Sequence, residues 1–216
     1  MDDFATEAKT IVKLYPKLNL FEKSGAKILS GEIDLLNDIG EILDTYQLEI
    51  SPSNQYPFMF PKVFETGGKL PINIDWHVYE DDGRCCIKIP PEETLICSKG
   101  ITLSDFIKNE LIPYLFNQTF RRENGYYINE RSHGINGLIE FYGEKLNTNN
   151  TSEIIKLLGH ILFKNEPDRV ALCFCGRNEK YRRCHRDAFR LLCQIKKEQL
   201  LLHLKLIINY FQSIKN

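Results

Sequence analysis

The sequence is poor in the features that tie a chain to a membrane or to nucleic acid. No apolar run reaches the roughly 18 residues of a spanning helix. The opening MDDFATEAKT has no basic-then-apolar secretory pattern. A cytoplasmic protein without a membrane partner is therefore expected. Lys and Arg number 28 against 29 Asp and Glu, a net charge of −1, so no excess of one sign points to nucleic acid. A glycine-rich nucleotide loop is also missing, and with it any adenylation machinery of the chain's own. Internal repeats and low-complexity tracts are absent too.

What is present is ordinary in bulk and unusual in detail. Hydrophobic residues make up 43% and charged residues 26%, as in globular domains. A length of 216 residues holds one sizeable core with an appendage, or two small domains. The seven cysteines are an odd number, and three of them fall within 173–184. In a reducing compartment this usage argues for metal binding or catalysis rather than a disulfide framework.

Phe4, Ala8, Ile11, Val12 and Tyr15 recur at helical spacing, so a helix is expected over 2–15, capped by Asp2 or Asp3 and stopped by Pro16. Between 26 and 50 the pattern changes to short apolar runs separated by glycines. AKILSGEIDLL and GEILDTYQLEI are expected to form two or three antiparallel strands, with another strand over 61–66. Gly83-Arg84-Cys85-Cys86-Ile87-Lys88-Ile89 predicts a turn running into a short strand, and Pro90-Pro91 a break. Thr102 or Ser104 then caps a helix carrying Phe106, Ile107, Leu111, Tyr114 and Leu115, with Pro113 placed to kink it and Gly125 to end it. INGLIEFYGEKL predicts a further helix, and Asn147-Thr148-Asn149-Asn150 a linker between domains. After it come the amphipathic SEIIKLLGHILF, the cysteine cluster and a long helical run over 186–214, with Cys193 in the core.

Cys86 stands where a turn hands over to an extended element, and His77 lies across the acidic turn Glu80-Asp81-Asp82-Gly83. Alternation sends one of Cys85 and Cys86 inward and the other outward. A thiolate is strongly nucleophilic near neutral pH, and its thioester keeps an acyl group ready for a second transfer. His77 suits either a catalytic helper or a structural histidine bonded to backbone, and His133 a turn or cap residue.

Tyr56-Pro57 followed by Pro61-x-Val63-x-x-Thr66 resembles a signature of ubiquitin-conjugating enzymes. Gly83-Arg84-Cys85-Cys86-Ile87-Lys88-Ile89 is similar to their active-site line, with Cys86 at the thioester cysteine and His77 within one position of the histidine of their His-Pro-Asn motif. The resemblance covers residues 2–146. Trp76-His77-Val78-Tyr79 stands where the Pro and Asn would follow, which leaves Tyr79 and His133 as candidates for the oxyanion role of that Asn. The downstream Trp of the family is missing, since Trp76 is the only one. These departures look more like divergent bacterial members of CBASS-like antiphage operons. There the resemblance implies a thioester with the C-terminal glycine of a partner, either a ubiquitin-like protein or a cyclic-oligonucleotide synthase of the nucleotidyltransferase class.

Cys173-x-Cys175, eight residues, then Cys184-His185 supplies three thiolates and an imidazole, a set suited to tetrahedral zinc. Four protein ligands close the site, so the zinc is expected to be structural. Cys173, Cys175, Gly176, Lys180, Tyr181, Cys184 and His185 resemble the SEC-C zinc motif, which implies a docking tag rather than a reaction. Arg177, Lys180, Arg182, Arg183, Arg186 and Arg190 make this lobe basic, as a solvated face or as a site for an acidic partner. The last helix carries an apolar face that suits either the core or a partner helix.

The expectation is an α+β chain. Residues 1–146 form a ubiquitin-conjugating-like domain with a meander sheet and flanking helices. Residues 151–216 form a helical tail holding the zinc motif over 173–185. Cys86 with His77 would act as an acyl carrier. The other reading is an inactive adaptor of the same fold that docks through the zinc tail.

Overall fold

A computed structural model describes residues 3–128 and 130–214. The chain divides into two compact units. The first runs to Lys88 and resumes over Lys99–Glu130; the second comprises Ile89–Ser98 and everything from Arg131 on.

The first unit is a mixed α/β structure around a four-stranded antiparallel sheet in the order β1-β2-β3-β4. Helix α1 (Asp3–Leu14) comes first, with Phe4, Ala8 and Ile11 buried along one face. Asp2 and the side chain of Asp3, the expected caps, lie outside the described residues. Strands β2 (Ala26–Leu36) and β3 (Ile42–Ser51) fall where the apolar runs place them, and β4 (Lys62–Glu65) pairs with β3. On β3 the period is clean: Tyr46, Leu48 and Ile50 are buried, as alternation requires.

Strand β1 (Leu18–Lys23) was not anticipated. Only Leu18 is buried in this edge strand, so its apolar signal is faint. The local sign was the pair Ser24-Gly25, whose φ angles of 53° and 79° build a two-residue turn suited to a tight hairpin.

The described remainder of this unit is helix and loop. Thr102 caps α3 (Leu103–Phe106), accepting from the Asp105 amide at 3.0 Å. A π-helical turn (Ile107–Leu111) then leads into α4 (Ile112–Asn124). Pro113 cannot donate to the carbonyl four residues back, and the widened turn absorbs that mismatch. Gly125 closes α4 with a φ of 84°. Asp44 on β3 ties helix to sheet: it accepts from Thr119 Oγ1 at 2.8 Å and Arg122 Nη1 at 2.7 Å, and also from Lys69.

The expected strand after Gly83 is reduced to isolated bridges, Phe64 with Arg84 and Val78 with Cys85. Pro90-Pro91 starts a helix instead of breaking structure. It opens α2 (Pro90–Ile96), because proline is tolerated in a first turn whose N–H groups have no intrahelical acceptor.

The second unit is helical. Helices α5 (Gly134–Leu146), α6 (Thr151–Phe163) and α8 (Lys197–Ser213) share one buried cluster that includes Phe141, Tyr142, Leu157, Leu158, Leu204 and Ile207. Helix α5, expected with the N-terminal domain, thus contributes its apolar face to the C-terminal core. Asn150 caps α6 by accepting from the Ser152 and Glu153 amides. The long run expected after Arg186 is two helices, α7 (Arg186–Leu192) and α8. Burying Leu192 and Ile195 turns the chain between them and leaves Cys193 exposed rather than in the core. Among the described residues, no helix is long and apolar enough to cross a membrane.

Two tests follow from this packing. Gly31 has a φ of +143°, and a Cβ there would meet the Lys17 carbonyl oxygen at 2.1 Å. Gly31→Ala should therefore cost roughly 3 kcal/mol in urea unfolding; a loss below about 1 kcal/mol would contradict the close approach. Burial by itself would raise the Asp44 carboxyl, but hydrogen bonds from Lys69, Thr119 and the Thr45 amide outweigh it and lower it to about 2. The group is depressed on folding, so its contribution is present above about pH 4 and is lost as the pH falls towards 2. Acid titration of unfolding should show wild type converging on Asp44→Asn across that window; parallel curves would sink the assignment.

Candidate functional site

The cysteine turn is built on the open edge of β4. The Cys85 amide donates to the Val63 carbonyl at 2.8 Å, which carries the ribbon of residues 84 and 85 alongside the strand. On the other side the Cys86 amide donates to the His77 carbonyl at 2.7 Å, and the Tyr79 amide to the Arg84 carbonyl at 2.9 Å. These two bonds flank the Val78–Cys85 bridge, so residues 77 and 86 stand opposite one another.

Alternation then separates the two cysteines. Val78 and Cys85 point inward at 2% and 6% exposure, whereas Cys86 is only partly buried. Burial pushes the Cys85 thiol up to about 11, which keeps it protonated and inert. Cys86 Sγ lies 4.0 Å from the Lys88 carbonyl oxygen. Of the pair, Cys86 is the less buried residue.

His77 adopts a left-handed conformation, φ 51°, at the end of a 3₁₀ turn (Ile74–Trp76). Its ring packs 4.8 Å from that of Tyr127, and its Nε2 lies 3.6 Å from Glu130 Oε1. The imidazole thus packs on an aromatic ring and faces a carboxylate, while the His77 carbonyl holds Cys86. Tyr79 lies under the Arg84 guanidinium at 4.7 Å. His133 belongs to the second unit, where it is the N-cap residue of α5. Asn73, the asparagine at the start of the 3₁₀ turn, uses its side-chain oxygen to accept from the Asp75 amide at 2.7 Å.

The second cluster lies wholly in the second unit. Cys173, Cys175, Cys184 and His185 offer four ligand atoms that all lie within 4.8 Å of one another, and together they could hold a metal ion. His185 Nδ1 is 3.1 Å from Cys184 Sγ and 3.4 Å from Cys173 Sγ, and Cys175 and Cys184 sulfurs are 3.5 Å apart. A small hairpin sets the first pair. The Cys173 amide donates to Glu179 and the Tyr181 amide to Ala171, while Gly176, at φ 84°, turns the chain between. Cys184 ends a 3₁₀ turn (Tyr181–Arg183), and His185 is the N-cap residue of α7.

Two features suit a cation. His185 Nε2 is 2.9 Å from the Leu146 carbonyl oxygen, to which it can donate, and this fixes the tautomer that leaves Nδ1 facing the sulfurs. Burial and the neighbouring sulfurs push the Cys184 thiol up to about 12, because thiols this close cannot all ionise without a positive charge among them. The Leu146 acceptor is a backbone group and left no trace in the sequence. Around the cluster, Arg177 pairs with Glu153 and Arg190 with Glu166, so part of the basic lobe is neutralised within the unit.

Compared with protein-family models, with curated proteins and with solved structures, the chain matches none of them.

The cluster predicts metal content directly. Elemental analysis of purified protein should find about one bound metal ion per chain, and Cys184→Ser should lower that content and the melting temperature together. Metal-free wild type with an unchanged melting curve would show that the four side chains need no ion.

Proposed function

We propose that the chain is a ubiquitin-conjugating-like acyl carrier, in which Cys86 receives the C-terminal glycine carboxyl of a partner protein as a thioester. The observation that carries this reading is the division of labour in the doublet. Cys85 is buried and held protonated, while Cys86 is pinned through its amide to His77 and is only partly buried. The order of elements supports it as well: a helix, a four-stranded meander and a cysteine turn on the last strand, as in the fold that the Tyr-Pro and cysteine motifs resemble.

The step is an acyl transfer. The Cys86 thiolate attacks an activated glycine carbonyl, the C–S bond forms, and the activating group leaves with the electron pair. Activation comes from an enzyme acting in trans or from a donor already activated. The acyl group then passes to an amine, or is held to regulate the partner. That partner is a ubiquitin-like protein or a nucleotidyltransferase of an antiphage operon, with the chemistry taking place in the cytoplasm.

Zinc is the metal we assign to Cys173, Cys175, Cys184 and His185. Three thiolates with one imidazole form a soft, four-coordinate donor set that favours zinc and leaves no open position for substrate. Its role is to hold the hairpin of 171–181 against the start of α7.

One observation favours the adaptor reading, in which the same fold binds a partner without chemistry. Val78-Tyr79 follows His77 where the family's motif has its Pro and oxyanion Asn, and the side-chain oxygen of Asn73 is engaged as a cap. Each missing oxyanion donor costs about 100- to 1000-fold in rate.

Intact-mass spectrometry of protein co-expressed with its genomic neighbours separates the two. An adduct equal to a neighbour's mass less one water, released by thiol and absent in Cys86→Ala, is the expected result. Neighbours that co-purify without ever forming such an adduct would establish the adaptor.

A further inference from the structure

The 3₁₀ turn that presents His77 has no apolar anchor, since none of its three residues is buried. Its backbone is held from one side by α4. Tyr114, Gln118 and Arg121 lie at i, i+4 and i+7 on that helix, the spacing of a single face. They reach three successive carbonyls of the turn. Tyr114 Oη donates to His77 at 2.9 Å, Gln118 Nε2 donates to Trp76 at 2.9 Å, and Arg121 Nη1 donates to Asp75.

The side chains of this face are themselves fixed. Gln118 is fully buried, and its Oε1 accepts from the hydroxyl of buried Tyr127 at 2.9 Å, which orients the amide so that Nε2 faces the turn. The Arg121 guanidinium lies between two rings, 4.3 Å from the Trp76 centroid and 4.5 Å from that of Tyr127. Burying an amide and two phenols is costly unless each polar atom has a partner, and here the bonds close on one another. A helix face with only packing to do would be apolar.

The His77 carbonyl links this face to the thiol. It accepts the Tyr114 hydroxyl and the Cys86 amide at once, so any shift of the turn displaces the cysteine backbone. We propose that Tyr114, Gln118 and Arg121 are positioning residues that set the place of Cys86 through the carbonyls of residues 75–77. This rests on the reading of Cys86 as the thioester cysteine, but the mechanical claim has its own readout.

The full chain is used, with Gln118→Met, Tyr114→Phe, Arg121→Met and Arg121→Lys. Residue-resolved hydrogen exchange should accelerate about tenfold at the His77, Val78 and Cys86 amides in the first three variants. The Leu29 and Leu48 amides of the central strands should hold their wild-type rates. Arg121→Lys, which keeps a cationic donor, should recover part of the protection. Thioester yield at Cys86 should fall about tenfold in the variants that lose protection.

Unchanged exchange at Cys86, or acceleration spread evenly over the whole unit, would overturn the proposal and leave the face a mere contributor to stability. Tyr114→Phe removes a single oxygen and keeps the test open if the buried Gln118→Met fails to fold. Should wild type form no thioester at all, the carrier reading falls, while the exchange pattern still decides whether this face governs Cys86.

Discussion

Unpaired backbone is the constraint around which the first unit is arranged. Between β4 and Lys88 the chain forms no named strand, yet its carbonyls and amides must find partners wherever they leave water. They find them in three places: the open edge of β4, the short ladder between residues 77–79 and 84–86, and the polar face of α4. Cys86 lies where the last two meet. Its thiol therefore sits on a loop held by hydrogen bonds as well as by the buried side chains of Val78 and Cys85. Such hydrogen bonds are directional, so they fix the orientation of the Cys86 backbone.

The second unit meets a different constraint. Residues 164–185 contain no α-helix or strand, only a two-bond hairpin and a single 3₁₀ turn. A segment with so little regular backbone gains order from side chains. Phe174 and Tyr181 pack near His160, His185 and Phe189, and the four sulfur and nitrogen ligands converge beneath them. A metal ion held there would add to this aromatic packing in fixing the turn. The two candidate sites use cysteine in opposite ways. Cys86 stands apart on a partly buried turn, whereas the sulfurs of Cys173, Cys175 and Cys184 are gathered into one cluster.

Much of the framework was legible in residue pattern. Phe4, Ala8 and Ile11 mark α1, period-two burial marks β3, and Cys173, Cys175, Cys184 and His185 come together from spacing alone, because three of these ligands flank tight turns and the fourth is adjacent in sequence. Strand β1 was faint because an edge strand with one buried residue carries almost no alternation. Pro90-Pro91 was ambiguous, since the same pair ends one helix or starts the next. The break between α7 and α8 has no Pro or Gly to announce it and follows from the burial of Leu192 and Ile195.

The sequence by itself determined the local chemistry: which side chains can ionise, ligate or cap, and which stretches must be helix or sheet. Tertiary structure alone decided which groups meet. It assigned α5 to the second core because its apolar face joins those of α6 and α8. It turned Cys85 inward and left Cys86 partly buried through the pairing of residue 77 with residue 86, a contact across a loop. It also enlisted Gln118, Tyr114 and Arg121, whose spacing reads as an ordinary helix face until the carbonyls of a distant turn are brought against it. Long-range hydrogen bonds link residues far apart in the chain, and that is why they are invisible in its order.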